Sequence, residues 1–504
     1  MTSTDPSVEF ALPVAAEPAD AVHRAIAASG NAAIAAEASG QLLAALSGDT
    51  DIERILIKAA AGAGKSYVLK KLVEDAVNHV DCRRVAVVAF QNRQLWPIAK
   101  SLGERLGRDA VTLLVAKGKS DLVPDDVGEA ATVVEAIKTV PQDTQVVIST
   151  SHKMSFDFGN TLKHLGAGAN GEAPYDVLFI DEAWQLPHHL FDPIQGKAPI
   201  TIGVGDVGQL PPLEIGTNPW RGDPGFNPYR AWPTNYYGDP DTFETELPAV
   251  WRPTAEQLSL WRAFYPEWEA LNCVAAPGDR LVELGELDGL AATVWAQVAT
   301  GVPTLLEVDG LPDPEAADVD LPLVEFAEAL LEDLFAAKFA LVRARLDDTG
   351  TPTGEWDSTG PGDEPDDTLV TVLATRNQTV DDATDAVERL RKQFDLTEKD
   401  LIASTVDSWQ GQTNGITLAI HPLTGAAQLD EFNSQFGRLA VTCTRATHGL
   451  LMLSRPGLDQ LLNEAPARPG TPFGEPGNRH LPRQTHQRIL ATFARGTVNV
   501  ALEG

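Results

Sequence analysis

Two glycines, a lysine and a serine lie where a strand-like run meets a helix-forming run, in the segment ILIKAAAGAGKSYVL. Backbone N–H groups in such a turn bind phosphate, as does the N-terminus of the following helix. Gly62 and Gly64 permit the turn, Lys65 can reach β- and γ-phosphate oxygens, and Ser66 can ligate Mg²⁺. The full pattern has glycine where this chain has Ala59. The segment predicts a site for a nucleoside triphosphate.

Adjacent acids end the apolar run of YDVLFIDEAWQ. A carboxylate pair at a strand end is costly unless it meets a cation or water. Asp181 would hold Mg²⁺ through water, and Glu182 would polarise the water that attacks the γ-phosphate. The alternative is an exposed acid pair that caps the next helix. Further along, Gln209 in ITIGVGDVGQLPP has a donor and an acceptor with which it can sense the γ-phosphate.

The second half supplies two candidate arginines, Arg252 in LPAVWRPTAEQL and Arg445 in GRLAVTCTRATHGL. A guanidinium that reaches the γ-phosphate from a second domain stabilises the charge of phosphoryl transfer and makes domain closure depend on ATP. The alternative for each arginine is a surface salt bridge. Arg445 is predicted to lie on a mostly apolar helix, where the burial of a charge favours a functional role.

Short apolar strands that alternate with helical patterns must position these groups. The strand-like runs are ILIKA, RRVAVVAF, QVVIST, YDVLFID and PITIGVGD, then LVTVLAT, DLIAST, GITLAI and GLLMLS. This alternation predicts parallel βαβ units in covered sheets. A Pro-, Gly- and Trp-rich stretch between the halves is a long loop. Its aromatic residues could stack bases or form an ordinary packed cluster: Trp220, Tyr229, Trp232, Tyr236 and Tyr237.

The formal net charge of −32 argues against a broad basic surface of the kind that nucleic-acid-binding proteins usually have. An acidic outer surface with basic residues kept for a groove explains this charge, and so does a basic partner protein. Cys82, Cys273 and Cys443 follow no metal-binding spacing and are expected to be reduced core residues. No apolar run reaches the length of a membrane span, and the N-terminus lacks signal-peptide regions, which predicts a cytoplasmic protein without membrane contact.

Shifts in composition divide the chain into five predicted parts. These are an N-terminal helical segment (1–50), a first α/β domain (51–242), a second α/β domain (243–268 with 368–460), an acidic helical insertion with a linker (269–367) and a C-terminal tail (461–504). The linker prediction depends on the Gly, Pro and Asp content of GTPTGEWDSTGPGDEPDD.

In their order along the chain, these segments resemble the motifs of superfamily 1 helicases from Ile55 to Leu453. AAAGAGKS resembles motif I, DEAWQ motif II, GDVGQLPP motif III, LPAVWRP motif IV, TVDSWQGQT motif V and GRLAVTCTRATH motif VI. In DEAWQ, Gln185 lies four residues after Asp181, and this spacing is similar to that of subgroup B enzymes, of the RNA-surveillance and Okazaki-fragment-processing type. The resemblance implies an α/β fold with two RecA-like parallel-sheet domains in tandem, a helical insertion in the second, and 5′-to-3′ movement.

The same resemblance implies the ligands and the residues that bind them. ATP and Mg²⁺ would be the cofactors, with contacts from Gly62, Gly64, Lys65, Ser66, Asp181, Glu182, Gln209, Arg252, Gln410, Gly411 and Arg445. A single strand would meet Gln91, Asn92, Thr150, Ser151, His152, Thr405, Asp407 and Trp409. Besides Ala59, three features depart from the motifs. Gln91 replaces a small hydroxyl residue in motif Ia, Thr413 replaces a glutamate that motif V commonly has, and the glutamine upstream of motif I that often reads adenine has only Gln41 as a candidate.

The hypothesis that follows is an ATP-dependent helicase or translocase on single-stranded nucleic acid, DNA in preference to RNA, that is a monomer on its own. A first alternative is a partner-dependent remodelling ATPase without intrinsic unwinding, which would suit the acidic surface. A second is a non-catalytic nucleotide-binding module. The joint presence of Lys65, Asp181, Glu182, Gln209 and Arg445 argues against that second alternative.

Overall fold

The computed structural model describes residues 8–15, 18–90, 92–156, 158–169, 171–208, 227–268, 270–316, 319–375, 377–429, 436–465 and 482–500. The chain divides into two compact units, Gly30–Leu247 and Pro248–Gly470, and the second unit also includes the described residues before 30 and after 481. Each unit contains one large sheet of parallel strands. The prediction of an α/β fold with two RecA-like parallel-sheet domains in tandem is confirmed.

The first unit contains an eight-stranded sheet and the helices that cover it. Its strands are β1 Arg54–Ala59, β2 Val85–Ala89, β3 Val111–Leu114, β4 Thr132–Val134, β5 Val146–Thr150, β6 Val177–Asp181, β7 Ile200–Gly205 and β8 Thr242–Leu247. Its helices are α1 Arg24–Ser47, of which the residues before 30 belong to the second unit, α2 Lys65–Val77, α3 Asn92–Leu106, α4 Asp125–Ala130, α5 Ser151–Ser155, α6 Phe158–Leu165 and α7 His188–Gln195. The strand order is β4-β3-β5-β2-β6-β7-β1-β8, and every neighbouring pair is parallel.

The central strands of this sheet are apolar and buried on both faces. Strands β2 (VAVVA) and β6 (VLFID) are buried at every position, which is the pattern of a strand in a covered parallel sheet. The register pairs Lys58 of β1 with Gly205 of β7, and Asp181 of β6 with Val204 of β7. The carboxyl ends of these three strands therefore lie together at one edge, where open α/β sheets bind their ligands.

The aromatic residues that follow β7 pack within the first unit wherever they are described. Trp232 is buried, and its ring stacks on Phe191 with 4.3 Å between centroids. The hydroxyl of Tyr237 accepts a hydrogen bond of 2.7 Å from Nε1 of Trp184. The packed-cluster interpretation is therefore correct for Trp232 and Tyr237, and Trp220 lies outside the described residues.

The second unit is built from a six-stranded parallel sheet, a three-stranded antiparallel sheet and a short parallel pair. Its strands are β9 Ala249–Val250, β10 Asn272–Cys273, β11 Arg280–Leu284, β12 Thr304–Asp309, β13 Phe339–Leu346, β14 Pro352–Thr359, β15 Thr368–Ala374, β16 Leu401–Thr405, β17 Asn414–Ile420, β18 Ala446–Ser454 and β19 Ala494–Asn499. Its helices are α8 Leu258–Phe264, α9 Gly289–Ala299, α10 Leu321–Ala337, α11 Asn377–Phe394, α12 Phe436–Cys443, α13 Leu458–Glu464 and α14 Pro482–Leu490. The sheet orders are β16-β15-β17-β18-β12-β19, β11-β13-β14 and β10-β9.

The segment predicted as a helical insertion supplies helices α9 and α10 and also a strand of the main sheet. Strand β12 lies between β18 and β19 and pairs in parallel with both. The run TLLEVD is short and leads directly into the acidic stretch DGLPDPEAADVD, so its strand character is not evident from composition. The linker prediction is wrong for Pro352–Thr359, which forms β14 and pairs antiparallel with β13. The segment predicted as a C-terminal tail contributes α14 and the edge strand β19.

The three cysteines are placed as the sequence predicts. Cys82, Cys273 and Cys443 are buried and free, as expected, and burial raises the pKa of the Cys82 and Cys273 thiols to about 12. Within the described ranges, no helix combines the length and the apolar character needed to cross a membrane.

Gly205 allows close packing at the carboxyl edge of the first sheet, which generates a stability prediction. A Cβ atom at this position would lie 2.8 Å from the backbone nitrogen of Ala183 and 2.7 Å from the ring of Trp184. We expect Gly205→Ala to destabilise the protein by about 1–3 kcal/mol, the usual cost of overpacking. Gly40→Ala is the control, because Gly40 lies in α1 with no atom near its Cβ position, and alanine there should stabilise slightly. Urea unfolding followed by circular dichroism compares them, and equal midpoints would contradict the prediction.

Candidate nucleotide site

The turn between β1 and α2 has the geometry of a phosphate-binding loop. Gly62 and Gly64 have φ values of 72° and 96°, in the left-handed region that glycine adopts without steric cost. Gly64 is the N-cap of α2, so the backbone N–H groups of the first helical turn are oriented toward the loop. The side-chain amide of Asn31 donates a hydrogen bond of 2.9 Å to the carbonyl of Ala63 and anchors the loop. Ala59 is the last residue of β1, where extended backbone has no need of glycine.

Lys65, the first residue of α2, pairs with an acid at the end of β6. Its Nζ donates a hydrogen bond of 2.7 Å to Oε1 of Glu182, and both side chains are mostly buried. Asp181 and Glu182 are each only 7% exposed. The two acids therefore do not form the exposed helix-capping pair that was the alternative. Ser66, the next residue in α2, is exposed.

The two acids retain buried oxygen atoms that could receive a cation. Oδ1 of Asp181 and Oε2 of Glu182 have no hydrogen-bond partner within the described part of the chain. Burial and the neighbouring carboxylate of Glu182 raise the pKa of Asp181 to about 7, although the ammonium group of Lys65 lowers it in part. A buried unpaired carboxylate is costly, and oxygen ligands of this kind suit Mg²⁺. The donor set therefore fits a divalent cation at Asp181.

Glu182 has a strained backbone that fixes the direction of its side chain. Its φ is 51°, in the left-handed region, which costs a non-glycine residue roughly 1–2 kcal/mol. Its carbonyl accepts a hydrogen bond of 2.8 Å from the backbone nitrogen of Gln185, which closes a short 3₁₀ turn over Ala183–Gln185. The absence of a side chain at Gly205 leaves room for this turn. Strain of this kind concentrates at functional sites.

The third element at this edge is only partly described. Strand β7 ends at Gly205, and a side-chain oxygen of Asp206 accepts a hydrogen bond of 2.8 Å from the backbone nitrogen of Gly208. Gln209 comes next in the chain and lies outside the described residues. Its proposed contact with the γ-phosphate stays a prediction.

In the second unit, both candidate arginines contact the turn that follows β16. Arg252 donates from Nε to Oγ1 of Thr413 (3.1 Å) and from Nη1 to the carbonyl of Thr444 (3.0 Å). Arg445 is 1% exposed and donates to the carbonyls of Val441 (3.1 Å) and Gln412 (3.4 Å). Thr413 thus holds Arg252 where a motif V glutamate was expected.

The placement of Arg445 differs from the sequence prediction. Helix α12 ends at Cys443 and β18 begins at Ala446, so Arg445 lies in the turn between them rather than on a helix. The turn that carries Gln410 and Gly411 follows β16, and Gly411 has a φ of 85°. The predicted nucleotide contacts of the second unit therefore lie on turns at strand ends.

The predicted strand contacts of the first unit follow β2 and β5. Gln91 lies outside the described residues, and Asn92 is the exposed first residue of α3. Thr150 caps α5, because its Oγ1 accepts a hydrogen bond of 3.2 Å from the backbone nitrogen of Lys153. Ser151 is only 2% exposed, so its side chain presents little surface to a ligand.

The predicted strand contacts of the second unit lie after β16. Thr405 donates from Oγ1 to Oγ of Ser408 at 2.8 Å. Nε1 of Trp409 donates to Oδ1 of Asn414 at 3.0 Å, which anchors the partly exposed ring of Trp409. These side chains are held in place by neighbours, and their contact with a strand stays a prediction.

Arg280 is a residue that the sequence analysis missed. It donates from Nη2 to the carbonyl of Trp251 (2.6 Å), from Nη1 to the carbonyl of Thr447 (3.3 Å), and also to the carbonyl of Arg252. Burial lowers the pKa of Arg280 to about 10, so it stays charged at neutral pH. Its partners are backbone carbonyls that are distant in sequence, and no local pattern around Arg280 marks such contacts.

The raised pKa of Asp181 predicts a pH dependence of stability. An aspartate in an unfolded chain titrates near 3.9, whereas Asp181 titrates at about 7 in the folded protein. Between these values the folded state binds more protons than the unfolded state, so rising pH removes stability, and the loss persists above pH 7. Asp181→Asn removes this ionisation. We therefore expect the variant to gain stability relative to the unchanged protein as pH rises from about 5 to about 8.

Urea unfolding in the presence of EDTA at several pH values measures this difference without bound metal. Asp49→Asn, at an exposed position, reports the effect of removing an ordinary surface carboxylate. A difference for Asp181→Asn that stays constant across the pH range would show that the carboxyl group is not held in a buried, charge-disfavouring environment.

Comparisons with known proteins found a family model that matches part of the first unit. Residues 43–214 match the family described as an AAA domain. This range contains Lys65, Asp181 and Glu182, which the structure brings together. No curated protein sequence matches the chain.

Solved structures that resemble the chain include three helicases. The helicase of PRRSV has 13% identity and a TM-score of 0.36, with 84% of this chain and 58% of that chain covered. Arterivirus nonstructural protein 10 (helicase) with DNA has 14% identity and a TM-score of 0.38, with 85% and 65% covered. The DUF1998 helicase MrfA bound to DNA has 10% identity and a TM-score of 0.46, with 93% and 57% covered. The chain thus spans less than two thirds of the length of each of these proteins.

Proposed function

We propose that this chain is an ATPase that moves on single-stranded nucleic acid as a translocase or helicase. The observation that carries the proposal is the buried cluster of Lys65, Glu182 and Asp181 beside the phosphate-binding loop. The AAA-domain match over residues 43–214 supports the use of a nucleoside triphosphate. We further propose DNA as the track in preference to RNA, and movement in the 5′-to-3′ direction. The direction rests on the resemblance of DEAWQ to subgroup B helicases.

The chemistry begins with an exchange of partners at Lys65. ATP would offer its β- and γ-phosphate oxygens to the ammonium group in place of the Glu182 carboxylate. The released carboxylate can then accept a proton from water as the water oxygen bonds to the γ-phosphorus and the bond to the ADP oxygen breaks. Asp181 and Ser66 are the residues that would hold Mg²⁺, which supplies neutralisation of phosphate charge when bound.

The second unit is proposed to contribute positive charge to the transfer. Arg252 and Arg445 would stabilise the charge on the γ-phosphate, and Gln410 and Gly411 would contact the nucleotide. The carbonyl and hydroxyl partners of the two arginines hold the guanidinium groups in place.

A second candidate function is favoured by the net charge of −32. A protein with this charge pays a repulsive cost at a phosphate backbone unless its basic residues are concentrated in one place. An ATPase that remodels its target only with a basic partner would avoid that cost. It would hydrolyse ATP without displacing a strand until the partner is present.

Hydrolysis of ATP by the purified protein, with and without single-stranded DNA or RNA, tests the proposal directly. We expect stimulation by a single strand, larger with DNA, because motion and hydrolysis are coupled in such a motor. Lys65→Ala should abolish hydrolysis by removing the charge at the β- and γ-phosphates. Glu182→Gln should lower turnover by about a hundredfold or more while ATP binding persists.

Lys117→Ala, at an exposed position in the same unit, is the control for loss of a lysine. Full turnover by Glu182→Gln would remove the catalytic role of this site and favour a nucleotide-binding switch. Equal hydrolysis with and without either nucleic acid would instead favour the partner-dependent ATPase.

Arg280 is expected to act on hydrolysis through Arg252. Arg252→Ala should lower the kcat for ATP by about a thousandfold, within the range found for arginines that act on the γ-phosphate. Arg280→Ala should also lower kcat, with a smaller effect on KM, because the backbone that carries Arg252 loses its anchor. Arg280→Lys should restore little, since one ammonium group cannot reproduce the fork of a guanidinium.

The double variant tests whether the two arginines act in one pathway. If Arg280 only positions Arg252, then Arg280→Ala should add almost nothing to Arg252→Ala. Arg343→Ala is the matched control, because Arg343 pairs with Arg280 across β11 and β13 and is half-exposed. Additive losses in the double variant would rule out the positioning role.

A further inference from the structure

A cavity of about 570 Å³ lies in the first unit, away from the phosphate-binding loop. Its walls come from Leu114 at the end of β3, from Ala136–Lys138 after β4, and from helices α5 and α6 after β5. Strands β3, β4 and β5 are neighbours and parallel. The cavity therefore lies outside their carboxyl ends, at the edge where α/β sheets bind ligands, and its volume is that of a small-ligand site.

The cavity is basic in a strongly acidic chain. Lys138, Lys153, Lys163 and His164 line it, and none of the lining residues is acidic. The lysines form no ion pair with any residue in the described ranges; Lys153 instead donates from Nζ to the backbone carbonyl of Glu135 at 3.0 Å. The carboxylate of Glu135 is engaged elsewhere, because it accepts a hydrogen bond of 2.8 Å from the Ser120 hydroxyl.

An exposed aromatic ring stands at the same cavity on a fixed backbone. Phe156 is 57% exposed, and its ring contacts His152 edge-on with 4.9 Å between centroids. Its carbonyl accepts a hydrogen bond of 3.2 Å from Nζ of Lys197, a lysine that is 1% exposed. A large apolar ring held in water in this way is suited to stack against a nucleobase.

We propose that this cavity binds the phosphorylated end of a nucleic-acid strand, with the terminal base on Phe156. The proposal rests on the proposed function, since it assumes a nucleic-acid substrate. Three lysines in one cavity supply more charge than the single negative charge of an internal phosphodiester needs. A terminal phosphate carries about −1.5 to −2 at neutral pH.

Fluorescence anisotropy with labelled oligonucleotides at one fixed salt concentration tests the proposal without ATP. DNA and RNA strands are compared with a phosphate or a hydroxyl at the 5′ end, and separately at the 3′ end. We expect one phosphorylated end to bind about tenfold or more tightly than its hydroxyl form, as charge-assisted hydrogen bonds allow. The double variant Lys138→Ala with Lys163→Ala should abolish that preference.

The control is Lys117→Ala with Lys119→Ala, which removes the same charge from exposed positions of the same unit outside the cavity. This control should keep the preference, and Phe156→Ala should weaken binding of the preferred end by about tenfold. ATP hydrolysis without nucleic acid should be unchanged in all these variants. If the unchanged protein did not hydrolyse ATP at all, that result would count against the proposed function and not against the strand-end site.

Three results would overturn the proposal. The first is equal affinity for phosphorylated and hydroxyl ends in the unchanged protein. The second is an equal loss of affinity for all strands in the cavity variant, which would assign the lysines to the internal backbone. Unchanged strand binding in the cavity variant would likewise overturn it and leave an acidic protein segment as the occupant.

Discussion

An ammonium group and two carboxylates share a buried space at the carboxyl edge of the first sheet, where Lys65 donates to Glu182 beside Asp181. This arrangement depends on three features of the first unit: the strand register, the backbone conformation of Glu182 and the glycine at position 205. The register of β1, β7 and β6 sets the ends of the strands level. The left-handed backbone of Glu182 aims its carboxylate, and Gly205 leaves space for the turn. Without a ligand, the ion pair offsets the cost of burying these charges, although the raised pKa of Asp181 shows that the offset is incomplete.

The second unit fixes its arginines in a different way, through backbone carbonyls and hydroxyl groups. Arg280 holds the main chain at Trp251 and Arg252, while Arg252 and Arg445 reach the turn that follows β16. Carbonyl oxygens satisfy N–H donors without cancelling a full positive charge. An arginine held in this manner is ordered before an anion arrives, so less conformational entropy is lost when the anion binds.

Because the chain is strongly acidic, any binding of a polyanion depends on local clusters of basic residues. With a net charge of −32, the surface as a whole repels polyanions, and attraction must come from places where lysines gather without acids. The cavity at Lys138, Lys153 and Lys163 is such a place. It lies outside the carboxyl ends of β3, β4 and β5, at the same edge of the parallel sheet as the phosphate-binding loop. One edge of one sheet thus presents both groups of charged residues.

The sequence by itself determined the α/β class, the positions of the main strands, and the phosphate loop with its acid pair. These features depend on local patterns: apolar runs of strand length, glycines directly before a Gly-Lys-Ser segment, and polar residues that directly follow apolar runs. Tertiary structure alone decided how Lys65 pairs with Glu182, since 117 positions separate them. It also decided that β12 and β19 join the main sheet, that Pro352–Thr359 is a strand, and that Arg280 supports Arg252. In these cases the pairing and burial depend on residues that are distant in the chain, so local sequence patterns do not predict them.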